Sequence, residues 1–249
     1  MRPTPKTARG RPARGRPAGQ VATRRNILRT AIRMFADQGY AGARIDKISA
    51  AAGCTDRMIY YYFGSKERLF VAVLEMIYEE LGLAEAALDL AGLGPEDCLR
   101  AIVRFTWSHY RRHPEMLALL NNENLLKGRH VIRSKRVKEL SFPLLSTLSE
   151  VLALGVRDRV FRADVTATDA YLVMCSLGYF YLSNRHTLSA FLGLDLMAKP
   201  ALERWPGVME QAVLRFLRAP RRTGRRPMTG RDSRSERSRR VGSKGYPAR

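Results

Sequence analysis

The sequence has few cysteines and no long apolar run, and both shortages exclude whole classes of protein. Its 249 residues include three cysteines, Cys54, Cys98 and Cys175, whose odd number and spacing fit neither a disulfide framework nor a metal site. The longest apolar run, 171–182, is interrupted by Ser176 and too short to span a bilayer. The basic N-terminus also lacks the apolar segment of an export signal. We therefore expect a cytoplasmic protein with reduced thiols and no membrane contact.

Motifs of the common enzyme classes are also missing. There is no Gly-rich phosphate loop, no ordered catalytic triad and no Glu-x-x-His pair of the di-iron type. His109 and His113 are four residues apart and could share a helix face, but no third metal ligand is evident, and a histidine before a proline is usually structural or solvated. We expect no enzyme activity, no metal and no other cofactor, which leaves a helical-bundle enzyme as a distant alternative.

Acidic residues are scarce, and the resulting positive charge is unevenly distributed. The chain has 44 Lys and Arg against 23 Asp and Glu, a net charge of +21. Residues 1–20 carry six basic residues and no acid, 219–249 carry eleven and two, 21–69 carry nine and four, and 70–218 carry eighteen and seventeen. A basic N-terminal part beside a nearly neutral larger part indicates a nucleic-acid-binding unit attached to a neutral one.

The segment 44–69, RIDKISAAAGCTDRMIYYYFGSKERL, predicts two short helices joined by a tight turn. Apolar residues at helical spacing predict a helix over 45–52, which Gly53 can end by taking the left-handed conformation. Thr55 is a favourable N-cap for a second helix over 56–63. The tyrosine-rich run there favours a strand by propensity, but the cap before it and the next helix start at Ser65 leave too little room for a paired strand. This arrangement is a helix-turn-helix.

A spaced set of residues in this region matches a known pattern, in order and without gaps. The set is Phe35, Gly39, Tyr40, Ile48, Ala52, Gly53, Tyr60, Phe63, Ser65, Lys66 and Leu69. It resembles the DNA-binding domain of the tetracycline-repressor-like (TetR/AcrR) family of bacterial transcription regulators. The resemblance implies an all-α protein, with a three-helix helix-turn-helix domain at 21–68 and a larger helical domain at 69–218 that binds an effector and dimerises.

The resemblance also implies DNA contacts for eight residues. They are Arg44 and Thr55 near phosphates, Asp56, Arg57, Met58 and Tyr61 toward base edges, and Tyr60 and Lys66 on the DNA backbone. Arg57 is the best candidate for direct reading, because a guanidinium pairs with guanine O6 and N7. Arg57 and Met58 depart from the family, which often has Gly and a small residue or Thr there, so the operator sequence is not predicted. Ile59 and Phe63, four apart, are expected to face inward.

Both ends of the chain are basic and almost free of large apolar residues, so we expect a disordered arm at 1–20 and a disordered tail at 219–249. The arm contains RGRP twice, at 9–12 and 14–17, and this peptide resembles the AT-hook, which lies in the minor groove of A·T-rich DNA. The alternative is a solvated segment that adds unspecific affinity.

The apolar spacing predicts further helices along the chain, and the middle helices of the larger domain carry candidate pocket residues. A helix over 21–38, ended by Gly39, precedes the helix-turn-helix, and later helices are expected from Leu69, Pro95, Pro114 and Thr166 and over 208–217. Seven residues could line an effector pocket or serve equally as core: Trp107, Tyr110, Met116, Asn121, Glu123, Met174 and Tyr179. The polar run 121–124 is interpreted as a wet face, with a cavity-lining residue as the alternative.

The expected function is that of a ligand-responsive repressor. The helix that starts at Thr166 is apolar almost all round, which indicates cover on more than one side and hence a subunit interface. We expect a homodimer that binds double-stranded DNA at a palindromic operator and responds to a small-molecule effector. The alternative is an architectural DNA-binding protein that acts through its basic tails without an effector.

Overall fold

The computed structural model describes residues 17–140 and 143–219, and twelve α-helices form the regular structure of this part of the chain. They are α1 (Pro17–Gly42), α2 (Ile45–Ala51), α3 (Asp56–Phe63), α4 (Lys66–Ala86), α5 (Pro95–Arg112), α6 (Pro114–Leu125), α7 (Arg129–Arg133), α8 (Lys135–Glu139), α9 (Pro143–Arg157), α10 (Ala167–Ser183), α11 (Arg185–Leu192) and α12 (Lys199–Leu217). One isolated antiparallel bridge joins Phe161 to Arg218. The predicted all-α class is confirmed.

The first three helices form the N-terminal domain. α1 buries Ile27, Ala31 and Phe35 completely, at the helical spacing that the sequence shows. It begins at Pro17 rather than at 21, so the last four residues of the predicted arm are helical, as suits a proline in a first turn. The first RGRP repeat and most of the second lie outside the described residues. Helical geometry is interrupted at Gly39, whose φ of 68° favours glycine.

The larger domain packs α4, α5, α6, α9, α10 and α12 around one core. α10 lies within it and buries Ala170, Met174 and Tyr181 against its neighbours. Its predicted start is confirmed, because Thr166 and Asp169 form a reciprocal capping box. Helix α12 starts nine residues before the predicted 208 and runs on through Pro206. The short helix α11 was not predicted from the sequence.

The polar run 121–124 is not the wet face expected from the sequence. Glu123 is 3% exposed and bonded to His130, while Asn121 accepts hydrogen bonds from Tyr179 and Ser183. That expectation was wrong because the partners lie on α7 and α10, which local spacing cannot place next to α6. Only Asn124 of the four is exposed.

One stretch, Lys135–Arg157, is apolar and long enough to pass a length-and-composition test for a membrane span. It comprises α8 and α9, on either side of 141–142. Its residues Leu144, Leu148 and Leu152 are buried in the protein core. A core helix passes the same test, so the stretch is no evidence of a span.

Candidate nucleic-acid interface and effector cavity

The turn between α2 and α3 is fixed by its backbone. Gly53 has a φ of 65°, and the Cys54 amide donates to the Ser49 carbonyl at 3.0 Å. Thr55 has the extended conformation of an N-cap, and the Met58 amide donates to its carbonyl at 2.9 Å. The Thr55 side chain makes no capping hydrogen bond, so it stays exposed at the start of α3. The helix bounds predicted for α3 are confirmed.

Side-chain hydrogen bonds hold the three N-terminal helices together. The Ser49 hydroxyl, 4% exposed, donates to the Asp56 carboxylate, which links α2 to α3. The Asn26 amide donates to the Ala52 carbonyl at 2.9 Å and links α1 to the end of α2. Asp56 was expected to point toward base edges, but its carboxylate is turned toward α2. Its observed contact therefore positions α3.

The outer face of α3 carries the residues expected to read bases. Ile59 and Phe63 are 0% and 6% exposed and anchor the helix inward, as predicted. Tyr60 and Tyr61 are 50% and 76% exposed. Arg57 is also exposed and makes no hydrogen bond or ion pair with the described residues, whereas Met58 is half-buried. Residues 57, 60 and 61 lie three and four apart, so they share one helix face.

Basic groups flank that face. The Arg44 guanidinium at the start of α2 forms two hydrogen bonds to Asp46, at 3.0 and 3.1 Å, and this bonding lowers the pKa of the Asp46 carboxyl. Lys66 opens α4, where its ammonium donates to the Ala41 carbonyl at 3.3 Å and lies 5.0 Å from the Tyr40 ring centroid. Burial lowers the pKa of Lys66. Both groups are therefore positioned by the protein itself before any contact with DNA.

Two of the seven predicted pocket residues line separate small cavities between the described helices. Tyr110 lines a small cavity of about 10 Å³ between α4, α5, α9 and α10, whose other walls include Glu85, Phe105, Leu144, Tyr171 and Cys175. Met116 lines a separate space of about 30 Å³ beside His109 and His113. The rings of these two histidines are tilted by 30° to each other, with centroids 4.4 Å apart.

The remaining five predicted pocket residues are engaged in packing and hydrogen bonds elsewhere. Trp107 packs edge-on against Tyr181 at 5.5 Å, and Met174, fully buried, accepts a weak hydrogen bond from Thr106. Asn121, Tyr179 and Glu123 are bonded as described above. Their composition alone cannot separate core from cavity, because both need aromatic and apolar side chains.

Sequence reasoning missed Glu85, the most unusual group in the cavity wall. It is 5% exposed, and burial raises the pKa of its carboxyl to about 7. A signal was present, because Glu85 follows Ile77 and Leu81 at intervals of four and so falls on the buried stripe of α4. Burial also lowers the pKa of the neighbouring His109 to about 4 and raises that of Cys175.

A helix-turn-helix that presents an exposed arginine and two exposed tyrosines, joined to a larger helical domain, defines the class of helix-turn-helix DNA-binding regulators. The sequence model of the tetR family of bacterial regulatory proteins matches residues 27–73, and that of the tetracyclin repressor-like C-terminal domain matches 95–213. The chain belongs to the tetR family.

The chain is similar to several known proteins. Over 196 residues, the chain is 46% identical to the HTH-type transcriptional repressor NicS of Pseudomonas putida, which covers 79% of this chain and 92% of that protein. Over 110 residues, it is 38% identical to the HTH-type transcriptional repressor SCO4008 of Streptomyces coelicolor, and this match covers 43% of this chain and 52% of that protein. Its fold is similar to that of the fatty acid degradation regulator FadR from Bacillus halodurans, with a TM-score of 0.60, 18% identity and coverage of 81% and 97%.

Proposed function

We propose that the protein is a ligand-responsive, homodimeric repressor that binds a palindromic operator in the cytoplasm and acts without catalysis. The outer face of α3 carries the proposal. Arg57 is exposed and without a protein partner among the described residues, and buried Ile59 and Phe63 fix the helix beneath it. An arginine held in this way is available for bidentate pairing with guanine in the major groove.

The surface of α10 supports the homodimer. Leu172 and Phe180 are 59% and 58% exposed and lie two turns apart, with Ser176 between them on the same face. Large apolar side chains at that exposure are typical of surfaces that a partner covers. We propose that α10 and α12 of two chains pack together, which would set two α3 helices about 34–36 Å or somewhat further apart. Sedimentation at micromolar concentration tests this, because a monomer would contradict it.

Selection of binding sites from random DNA tests the function. A palindrome with two half-sites is expected, and its protection should be lost when the effector binds. Arg57→Ala should relax the preference at one base pair per half-site, since a bidentate pair discriminates by about 1–3 kcal/mol. Lys66→Ala should weaken all sequences alike and reduce the salt slope by about 1.

The two variants need a matched control. Arg111 is exposed on α5, has no hydrogen bond or ion pair to the described residues and lies outside the N-terminal domain, so Arg111→Ala should change neither preference nor salt slope. Identical behaviour of the Arg57 and Lys66 variants would overturn the assignment of one to bases and the other to the backbone.

The net charge of the chain ends favours one alternative function, that of an architectural DNA-binding protein without an effector. Residues 1–20 and 219–249 hold seventeen of the 44 basic residues. We expect removal of 1–16 and 220–249 to weaken binding to all DNA and to keep the selected palindrome. Loss of the palindrome on truncation would favour the architectural function.

A further inference from the structure

Glu85 lies at the meeting point of the four helices of the larger domain that surround the cavity. It is on α4, and its neighbours across the cavity are Tyr110 on α5, Leu144 on α9, and Tyr171 and Cys175 on α10. The residue as a whole is buried, with 5% of its surface exposed. Among the described residues its hydrogen-bond partner is the Leu144 amide, at 3.4 Å. One long hydrogen bond does not satisfy two carboxyl oxygens, which can together accept about four.

The surroundings determine which ligand the carboxyl can hold. No Lys or Arg of the described chain lines the cavity, and burial keeps His109 neutral by lowering its pKa to about 4. An anionic ligand would therefore have no countercharge. Aromatic rings and the aliphatic side chains of Leu81 and Leu144 form most of the remaining wall, together with Thr106 and Cys175, and this mainly apolar lining favours a flat apolar body.

We propose, on the basis of the repressor function proposed above, that Glu85 anchors the effector and that the effector is a small planar molecule presenting N–H donors to this carboxyl. Charge-assisted hydrogen bonds from N–H groups to a carboxylate are stronger than neutral ones and set the orientation of the ligand. The raised pKa of Glu85, about 7, agrees with this role, because it shows that the folded protein alone does not compensate the charge.

The cavity is smaller than any effector. Its volume of about 10 Å³ corresponds to a single water molecule. An effector must therefore displace side chains, and the side chain of Leu144, 2% exposed at the start of α9, forms one wall. Displacement at this point changes how α4 packs against α9 and α10, and α4 is the helix that begins beside the helix-turn-helix.

Three probes of nearly one shape separate the chemistry from the size of the ligand. Benzamidine is a cation with N–H donors, benzamide is neutral with N–H donors, and benzoate is an anion without them. Isothermal titration of the full chain should give the affinity order benzamidine, benzamide, benzoate. Glu85→Gln should reduce benzamidine affinity at least tenfold, whereas Glu150→Gln, at an exposed glutamate on α9, should leave it unchanged.

Leu144→Ala keeps the test decisive if the small cavity binds weakly, because it removes three carbon atoms from the wall. This variant should bind benzamidine more tightly than the parent and still discriminate against benzoate. Equal affinity for all three probes, a benzamidine preference that survives Glu85→Gln, or no binding by either the parent or Leu144→Ala would overturn the proposal. Titration is measured without DNA, so Glu85-dependent binding in a protein that selects no palindrome would instead refute the repressor function.

Discussion

The buried pair of Glu123 and His130 joins the two domains, and its removal has a predictable cost. One Glu123 oxygen accepts from the backbone amides of His130 and Val131 at 2.7 and 3.1 Å, and the other accepts from the His130 imidazole Nδ1 at 2.7 Å. His130 is fully buried, and its ring centroid lies 4.9 Å from those of Tyr40 and of Phe70. One carboxylate therefore orders the start of α7 and places an imidazole between the end of α1 and α4.

Glu123→Ala would leave three donors without an acceptor: the buried amide and imidazole of His130 and the half-buried amide of Val131. An unsatisfied buried donor costs about 1–3 kcal/mol, so we expect the free energy of unfolding to fall by roughly 4 kcal/mol. For a protein of this size, each kcal/mol lowers Tm by about 2–4 °C, which predicts a decrease of about 10 °C. Urea unfolding followed by circular dichroism at pH 7 measures the free energy, and a thermal scan measures Tm.

Two further variants make that measurement specific. Glu123→Gln keeps an oxygen for the two amides and loses the acceptor opposite Nδ1, so its cost should be smaller, about 1–3 kcal/mol. Glu150→Ala removes an exposed carboxylate from α9 and should change stability by less than about 0.5 kcal/mol. If Glu123→Ala cost less than about 1 kcal/mol, the pair would not stabilise the junction and the reasoning would be refuted.

The remaining predictions concern pH, a helix cap and two glycines. The pKa of Glu85 is raised to about 7 in the folded protein, so the protonated carboxyl contributes on the order of 3 kcal/mol to the free energy of unfolding. This contribution is fully present below pH 4.5 and is lost as pH rises through 7. Glu85→Gln should remove the resulting pH dependence of urea unfolding between pH 5 and 8, and an unchanged dependence would contradict the prediction. Thr166→Ala breaks the capping box and should cost about 1 kcal/mol by the same assay. Gly155→Ala would place a Cβ 2.0 Å from the Phe161 ring and should lower the free energy of unfolding by about 3 kcal/mol. At Gly53 an added Cβ meets no neighbour within 4 Å, so Gly53→Ala should cost about 1 kcal/mol, from the left-handed backbone conformation alone. Equal costs for the two variants would refute the steric argument.

Features set by neighbouring residues were predictable from the sequence. The bounds of α3, the ending of regular helix at Gly39, the proline starts of α5 and α6, and the capping box of α10 all follow from residues within a few positions of one another. The inward direction of Ile59 and Phe63 follows from helical periodicity alone. In α3, caps and spacing correctly outweighed the strand propensity of its tyrosines.

Features set by distant residues were not predictable. Asn121 is bonded to a tyrosine 58 positions away, and Glu123 is buried because α7 returns its backbone amides to α6. A run of Asn and Glu is interpreted as a solvent-exposed face when the distant residues that bind it are unknown. The cavity lined by Glu85 forms where α4, α5, α9 and α10 meet, and of the seven predicted pocket residues Tyr110 lines it. The place of the seven in an effector pocket stays a prediction.

Helix α4 connects Glu85, the proposed effector anchor, to Lys66, the proposed phosphate contact, so we propose that effector and DNA both bias its position. Lys66 at its first residue and Glu85 near its last are nineteen residues apart, or about 29 Å along the axis at 1.5 Å per residue. Between them Glu67, Glu75 and Glu79 accept hydrogen bonds from Arg133, Ser134 and Arg136 at 2.7, 2.7 and 2.8 Å, which link α7 and α8 to α4. Because His130 on α7 packs against Tyr40, beside which the Lys66 ammonium lies, we expect a displacement at Glu85 to change the support of Lys66, the proposed phosphate contact. Coupling of this kind is reciprocal and typically about 1–3 kcal/mol, so operator DNA should weaken effector affinity by about the 5- to 150-fold by which effector weakens operator binding.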